Sequence, residues 1–171
     1  MKAIVFLLTT LFYNFSALAQ QIAINDMVSI TLPANAEKLS KEQIIIFADQ
    51  KGYERRAMPP IPKNVYRINE MLLQAYPFKG DFKNNDLVKQ KESMDALHKG
   101  KKSYSSNTRM FGSYSAQIAR SIDGDKETYY ILIMNDAKTA QLNIILDCER
   151  TDETTAKTVI DEMLNSVKFK E

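Results

Sequence analysis

Residue types that do most enzyme chemistry are scarce in this chain. It contains one histidine, His98, and one cysteine, Cys148. A Ser-His-Asp or Cys-His system would have to use His98, whose place beside a lysine near a predicted helix end is typical of a solvated surface histidine. Zinc sites usually draw on several His and Cys ligands. We therefore predict no catalytic residue and no metal site.

Cys148 itself lies in a pattern that favours the core. In the stretch "QLNIILDCE", Leu142, Ile144, Leu146 and Cys148 share one face of a predicted strand. We expect this thiol to be buried and unreactive, because a reactive thiolate needs exposure and a basic neighbour. A single cysteine also forms no intramolecular disulfide, so the domain must depend on its apolar core.

Motifs for phosphate, calcium or glycoside chemistry are weak. The five glycines never form a G-x-G or G-x-x-x-x-G-K pattern, so we predict no cofactor. The stretch "DGDKE", residues 123–127, lacks the full calcium-loop spacing and predicts a turn. Carboxylates that meet only in space leave no sequence signal, so a hydrolase with an acid/base carboxylate pair is the alternative to a non-enzymatic protein.

The charge distribution argues against nucleic-acid binding. The formal net charge is +2, and the densest basic cluster is "HKGKKS", residues 98–103. This cluster fits a helix end, where lysines favour the helix dipole and Gly100 stops the helix. Phosphate or anionic-lipid binding is its functional alternative. We expect no nucleic-acid partner, because such recognition draws on more clustered Lys and Arg.

The first residues have the pattern of a secretory signal peptide. "MKAIVFLLTTLFYNFSALAQQ" combines the basic Lys2, an apolar run and a small-x-small site that ends at Ala19. The apolar run is shorter than the ~20 residues that span a bilayer, which favours cleavage over a retained anchor. We predict a signal peptide at residues 1–19 and one domain at residues 20–171, without a transmembrane anchor and located in the periplasm or outside the cell.

Local patterns then place the elements in the first half of the domain. "DMVSITLP" alternates apolar residues and predicts the first strand. "LSKEQIIIFADQKG" predicts a helix, with a capping-box pattern at Ser40 and Gln43 and a terminator at Gly52. The prolines of "AMPPIPK" predict an extended loop. "NVYRINEMLLQAYPF" fits a helix or strands that break near Asn69-Glu70, and its β-branched and aromatic content favours strands.

The second half begins with a helix and continues with strands. "NNDLVKQKESMDALHKG" predicts a helix capped by Asn84 or Asn85, and its apolar stripe includes Leu87, Met94 and Leu97. From Lys102 to Glu149 the period is two, with turns at Asp123-Gly124 and at "NDAK", which predicts an antiparallel meander. The strand Tyr129–Met134 is apolar on both faces, so we expect both faces to be covered. The methionines of the domain are expected to fill the core.

The C-terminus predicts a helix and a short strand. The apolar residues of the helix follow helical spacing, so one face should pack on the sheet; they are Ala156, Val159, Ile160, Met163 and Leu164. Val167 and Phe169 then alternate with Lys168 and Lys170, which predicts a short final strand added to that sheet.

This order of elements resembles the PsbP-like α/β/α sandwich, a fold shared with Ran-binding Mog-type proteins and several exported bacterial proteins. The resemblance spans most of residues 27–169. Its most specific motif is the closing L-x-S-V-K-F pattern of Leu164, Ser166, Val167, Lys168 and Phe169. The resemblance implies a single α+β domain, in which helices cover an antiparallel sheet, and an accessory or binding role rather than an enzymatic one.

We therefore predict an exported, non-enzymatic accessory or binding module of the bacterial cell envelope, with an envelope protein or a small ligand as its partner. The candidate binding residues are Pro60 and Ile61 in the proline-rich loop and two aromatic residues expected to be exposed, Tyr104 and Tyr114. A cleft between sheet and helices is a further candidate. In the sharpest form of the hypothesis, Pro60, Ile61 and Tyr114 lie together at the surface. A purely structural component of an envelope complex is a third possibility.

Overall fold

The computed structural model describes residues 19–53, 63–84, 87–112 and 114–170. Strands and three α-helices alternate along these ranges. The strands are β1 (Gln20–Ala23), β2 (Val28–Leu32), β3 (Glu37–Lys38), β4 (Asn64–Ile68), β5 (Met71–Lys79), β6 (Tyr104–Phe111), β7 (Tyr114–Asp123), β8 (Lys126–Met134), β9 (Ala140–Glu149) and β10 (Lys168–Phe169). The helices are α1 (Lys41–Lys51), α2 (Leu87–Leu97) and α3 (Glu153–Ser166).

Two antiparallel sheets and the three helices form an α/β/α sandwich. The central sheet has seven strands in the order β3-β4-β5-β9-β8-β7-β6, and the small sheet has the order β1-β2-β10. α3 and the small sheet pack on one face of the central sheet, called the inner face. α1 and α2 lie on the opposite, outer face. The predicted α+β class and the covered antiparallel sheet are confirmed.

The main core lies between the inner face and α3. The inward residues of β9, which include Leu142, Ile144 and Cys148, are buried, and so is the whole predicted apolar face of α3. Burying each large aliphatic side chain stabilises the fold by about 1.5–3 kcal/mol relative to exposure. The period-two and helical patterns read from the sequence are therefore confirmed in these two elements.

α1 is fixed at both ends by the predicted residues. The Gln43 N–H donates to Ser40 Oγ at 3.3 Å, and the Ser40 N–H donates to Gln43 Oε1 at 2.7 Å, which completes the capping box. Gly52 ends the helix with φ +63°, a conformation that favours glycine. Phe47 and Ala48 pack on Val65 of β4, in a second apolar cluster on the outer face.

The strand assignment of "NVYRINEMLLQAYPF" is also confirmed. β4 and β5 pair up to Ile68 opposite Met71, so Asn69 and Glu70 form the tight turn. Asn69 has φ +53°, which asparagine tolerates better than most residues. The meander turns at Asp123-Gly124 and at Asn135–Lys138 lie where they were predicted.

Several expectations about the sheet edges are wrong. The first strand is β1, which precedes the predicted one, and β10 pairs with β2 in the small sheet rather than with the meander. The segment between Lys102 and the predicted turn at Asp123-Gly124 is divided by a further hairpin turn at Gly112, so that β6 forms an additional edge strand. Short or polar edge strands bury little apolar area, and their sequence signal is correspondingly weak.

The outer face is covered less completely than expected. α2 has no buried residue, and Leu97, assigned to its apolar stripe, is 74% exposed. In β8 the inward residues are buried, whereas Thr128, Tyr130 and Leu132 are only partly covered. α1 lies over β4 and β5 and α2 over β6 and β7, which leaves a groove between them. The proline-rich loop and the predicted cap Asn85 lie outside the described residues.

Candidate functional site

A recess of about 590 Å³ opens at one end of the sandwich, where the β6–β7 hairpin, the β8–β9 turn and the chain after α3 meet. We call it the aromatic recess. Its lining comprises Phe111, Gly112, Tyr114, Asn135, Asp136, Ala137, Asn165, Val167, Lys168, Phe169 and Lys170. A concavity of this size, with aromatic walls and a few polar groups, has the properties of small-molecule and peptide sites.

Three rings form the aromatic surface of the recess. Phe111 and Tyr114 face each other across the last pair of the β6–β7 ladder, and their ring centroids are 6.2 Å apart at 20°. Phe169 meets Tyr114 edge to face, with centroids 6.3 Å apart at 84°. Both distances lie in the range of favourable aromatic pairs.

The chain that carries Phe169 is held in place by β2. Phe169 pairs with Val28, and the Lys170 N–H donates to the Met27 carbonyl at 2.7 Å. One turn earlier, Ser166 Oγ accepts a hydrogen bond from the Thr31 N–H at 2.7 Å. The tail is therefore fixed before any ligand arrives, which lowers the ordering cost of binding.

Tyr114 also anchors the end of α3. Its hydroxyl donates to the Leu164 carbonyl, which lies in the last turn of the helix and also accepts a 3.4 Å hydrogen bond from the Val167 N–H. Burial raises the pKa of Tyr114 to about 12, so the hydroxyl remains a donor at physiological pH. Only part of the ring then faces the recess, and Tyr114 is half-buried rather than exposed as predicted.

Polar groups surround the rings. Asn135 organises the β8–β9 turn, where its Oδ1 accepts from the N–H groups of Thr139 and Ala140, each at 2.9 Å. Asp136, Lys168 and Lys170 are exposed at the rim. The recess can therefore hold an apolar or aromatic group against its rings while the rim contacts polar or charged groups of either sign.

A second concavity, the ionic cleft, adjoins the recess along the seam between β6 and α3. It has a volume of about 300 Å³, and Arg109 lies on its side nearest the recess. The Arg109 guanidinium is 4.9 Å from the centre of the Phe111 ring, and its Nη1 lies 2.7 Å from Asp161 Oδ1. Arg109 thus lies between the two concavities and contacts residues of both.

Acidic side chains neutralise the other cations of the ionic cleft. Arg120 contacts the buried Glu127, and its Nη2 lies 3.0 Å from Glu153 Oε2. Lys157 pairs with Glu153, and the Tyr129 hydroxyl donates to Glu127 Oε2 at 2.9 Å. This arrangement is a network of paired charges, and it offers an anionic ligand little uncompensated positive charge.

Glu127 and Glu153 are two carboxylates that bind the same guanidinium, so they are the natural place to look for an acid/base pair. The hydrogen bond from Lys157 lowers the pKa of Glu153, and the hydrogen bond with Glu127 raises the pKa of Arg120. Both effects favour the charged forms. A general acid needs a carboxyl pKa raised towards neutrality, so Glu153 gives the hydrolase alternative no support.

The predicted binding residues do not form one site in the described part of the chain. Tyr104 lies on the outer face, where its ring stacks on His98 with centroids 4.3 Å apart at 13°, and it is half-buried. Tyr114 lies on the inner face at the opposite end of the β6–β7 hairpin. Pro60 and Ile61 lie outside the described residues, so their proximity to Tyr114 stays a prediction.

Cys148 is fully buried, and burial raises the pKa of its thiol to about 12. The predicted burial of this cysteine in the core is confirmed. Within the described ranges, no cluster of three or more His, Cys, Asp and Glu side chains could hold a metal ion. None of the helices in these ranges is both long and apolar enough to cross a membrane.

Sequence reasoning missed most of the residues that form the recess. Phe111 lies in β6, an edge strand that was not predicted. Phe169 lies in β10, a strand that was assigned to the wrong sheet. A usable signal was Gly112, a turn residue between two stretches of alternating pattern, which would have placed Phe111 opposite Tyr114. The location of the tail could not be read from local patterns.

Comparison with known proteins shows the fold. The chain has a PsbP-like fold. The solution structure of the cyanobacterial PsbP protein CyanoP from Synechocystis sp. PCC 6803 matches with a TM-score of 0.51 and 12% identity, over 90% of this chain and 94% of that one. The Ran-binding protein Mog1p of Saccharomyces cerevisiae matches with a TM-score of 0.47 and 11% identity, over 90% and 96%.

A third structure places the same fold in a longer protein. A crystal structure from Bacteroides thetaiotaomicron VPI-5482 matches with a TM-score of 0.52 and 6% identity, over 85% of this chain. The match covers 46% of that protein, so this chain spans about half of its length. No family model matches the sequence, and no curated protein matches it.

Proposed function

We propose that this chain is an exported, non-enzymatic binding or accessory module of the bacterial cell envelope, and that it binds its partner in the aromatic recess. The observation that carries the proposal is a recess of about 590 Å³ with three rings in fixed positions and a polar rim. The charged groups of the ionic cleft beside it neutralise one another, so the cleft adds no support for catalysis.

The expected partner presents an apolar or aromatic group flanked by polar atoms. Such a group packs beside the Tyr114 and Phe169 rings, which contact each other edge to face, and the polar atoms reach Lys168 or Asp136 at the rim. An exposed segment of an envelope protein and a small amphipathic ligand both have this chemistry. Stacking against an aromatic ring contributes about 0.5–1.5 kcal/mol beyond the area that is buried.

Export is supported by the N-terminal pattern and by the position of β1. The first strand in the described part of the chain begins at Gln20, immediately after the predicted cleavage site at Ala19. We propose that the mature protein starts at Gln20 and works in the periplasm or outside the cell. Cell fractionation and the intact mass of the recovered protein test this directly. Recovery in the cytoplasm with residues 1–19 still attached would refute it.

Capture of the partner tests the binding proposal. The tagged protein, as the expressing cell processes it, is incubated with envelope and culture-supernatant fractions, and retained molecules are identified by mass spectrometry. Three forms are compared: wild type, Phe169→Ser in the recess and Phe78→Ser as the control. Phe78 is an aromatic residue that is 45% exposed in β5 and does not line the recess.

We expect a stoichiometric partner or a bound small molecule with wild type and Phe78→Ser, and at least tenfold less with Phe169→Ser. Equal retention by all three forms would place binding elsewhere. We also propose that Pro60 and Ile61 extend the binding surface, in which case Ile61→Ser weakens capture. Tyr104 lies on the opposite face of the sheet from the recess. A substitution at Tyr104 should therefore not change the capture of a partner that is confined to the recess.

A further inference from the structure

In the part of the chain that the structure describes, β6 is a long open edge of the central sheet. It pairs with β7 in an unbroken register from Tyr104 opposite Ser121 to Phe111 opposite Tyr114, and it is the last strand in the sheet order. The other edge strand, β3, has only two residues. An unpaired edge of this length presents a row of backbone groups that can pair with a further strand.

The register fixes which backbone groups face outward. The Ile122 N–H donates to the Ser103 carbonyl at 2.8 Å, so odd-numbered residues of this segment point their backbone groups towards β7. The Tyr104 N–H instead donates to the Lys101 carbonyl at 3.2 Å, away from β7. By the same alternation, Ser106, Thr108 and Met110 direct their N–H and C=O groups to the open edge.

The usual devices that protect a sheet edge are weak along β6. The strand contains no proline, its register contains no bulge, and its single charged side chain, Arg109, is engaged with Asp161 on the inner face. Its outer side carries apolar surface instead. Met110 is 67% exposed, and Val88 of α2, 56% exposed, lines a shallow concavity together with Thr108.

We propose that β6 pairs with β6 of a second copy of this chain, antiparallel about a two-fold axis at Asn107, so that the two central sheets become continuous. An antiparallel pair keeps inner residues opposite inner residues, and this centre uses most of the strand. The facing pairs are then Tyr104 with Met110, Ser105 with Arg109, Ser106 with Thr108, and Asn107 with itself.

This register is self-complementary in charge and shape. Arg109 faces Ser105 rather than the other Arg109, so like charges are not opposed. The exposed Met110 is covered by Tyr104 of the second copy, and a thioether against an aromatic ring is a favourable contact. Moving the axis to Thr108 would place Met110 opposite Ser106 and lose that contact. These features favour a second copy over an unrelated strand, and the inference does not depend on the proposed partner of the recess.

Engineered cysteines test both the dimer and its register. Directly facing residues at a non-hydrogen-bonded position have Cα atoms about 4.5 Å apart, which is within disulfide range. Under mild oxidation we expect Asn107→Cys to give a disulfide-linked dimer. We expect Thr108→Cys to remain largely unlinked, because its own counterpart lies diagonally across the pair. Native Cys148 is buried, so we expect it to form no disulfide link between the two copies.

Native mass of the unmodified protein and of Thr108→Pro completes the test. The Thr108 N–H faces the open edge, so proline there is compatible with the folded monomer but blocks strand addition. We expect wild type to have twice the monomer mass and Thr108→Pro to have the monomer mass. A wild-type monomer at every concentration, a dimer that survives Thr108→Pro, or a dimer without the Asn107→Cys link would each overturn the proposal. So would a complex in which β6 pairs with another protein's strand.

Discussion

Three tyrosines give a quantitative test of the side-chain packing, because the same Tyr→Phe change removes a hydroxyl from three different environments. The Tyr66 hydroxyl is buried and has no hydrogen-bond partner among the described residues. The Tyr114 hydroxyl donates to the Leu164 carbonyl, and the Tyr129 hydroxyl donates to the buried Glu127 carboxylate at 2.9 Å.

The expected changes in the free energy of unfolding differ in sign and size. Tyr66→Phe removes a buried hydroxyl that lacks a partner, whose burial costs about 1–3 kcal/mol, so stability should stay level or rise by about 1 kcal/mol. Tyr114→Phe loses a neutral hydrogen bond and should cost about 1 kcal/mol; the Leu164 carbonyl keeps a 3.4 Å bond from the Val167 N–H. Tyr129→Phe removes a donor from a charged, buried group and should cost about 2 kcal/mol.

Urea unfolding followed by circular dichroism measures all three variants against wild type. The midpoint should move while the slope stays constant, because no variant changes the surface exposed on unfolding by much. In thermal unfolding, 1 kcal/mol corresponds to a shift of about 2–4 °C for a chain of this size. Equal losses in the three variants, or a loss in Tyr66→Phe larger than in Tyr129→Phe, would refute the assignment of these hydrogen bonds.

Two further predictions concern alkaline stability and the start of α1. Burial raises the pKa of Cys148 from 9.0 to about 12. Above pH 9 the unfolded chain therefore loses the thiol proton while the folded chain keeps it. The free energy of unfolding should then fall by up to about 1.4 kcal/mol per pH unit until pH 12. Cys148→Ala should make the decline in urea midpoint shallower; an unchanged slope would contradict the burial effect. Ser40→Ala breaks the capping box and should cost about 1 kcal/mol by urea unfolding, whereas Ser40→Asp, which keeps an acceptor, should cost less. Equal losses of stability in the two variants would show that a side-chain acceptor at position 40 does not stabilise the helix.

The elements with strong local signals could be predicted from the sequence. The inward residues of β9 and the apolar face of α3 repeat with the period of their own element, and both pack on the core. Ser40, Gln43 and Gly52 define α1 by hydrogen bonds within a few residues, so no knowledge of the rest of the fold was needed. The sequence patterns that indicate burial and capping are both local.

The recess could not be predicted in the same way, because it depends on contacts between distant parts of the chain. Phe169 reaches Tyr114 only because β10 pairs with Val28 and its neighbour in β2. β6 was missed since most of its residues are polar and exposed at a sheet edge. Tyr114 was selected as an exposed aromatic residue, but the structure uses its hydroxyl to hold the end of α3.

Crosslinking in intact cells tests whether the partner binds in the aromatic recess. A photoreactive amino acid replaces Lys168, which is exposed at the rim, or Phe78, the exposed control outside the recess. After irradiation, adducts are identified by mass spectrometry. If the partner binds in the recess, we expect one dominant adduct at position 168 and little at position 78. No adduct at position 168, or the same adduct in equal amount at both positions, would contradict it.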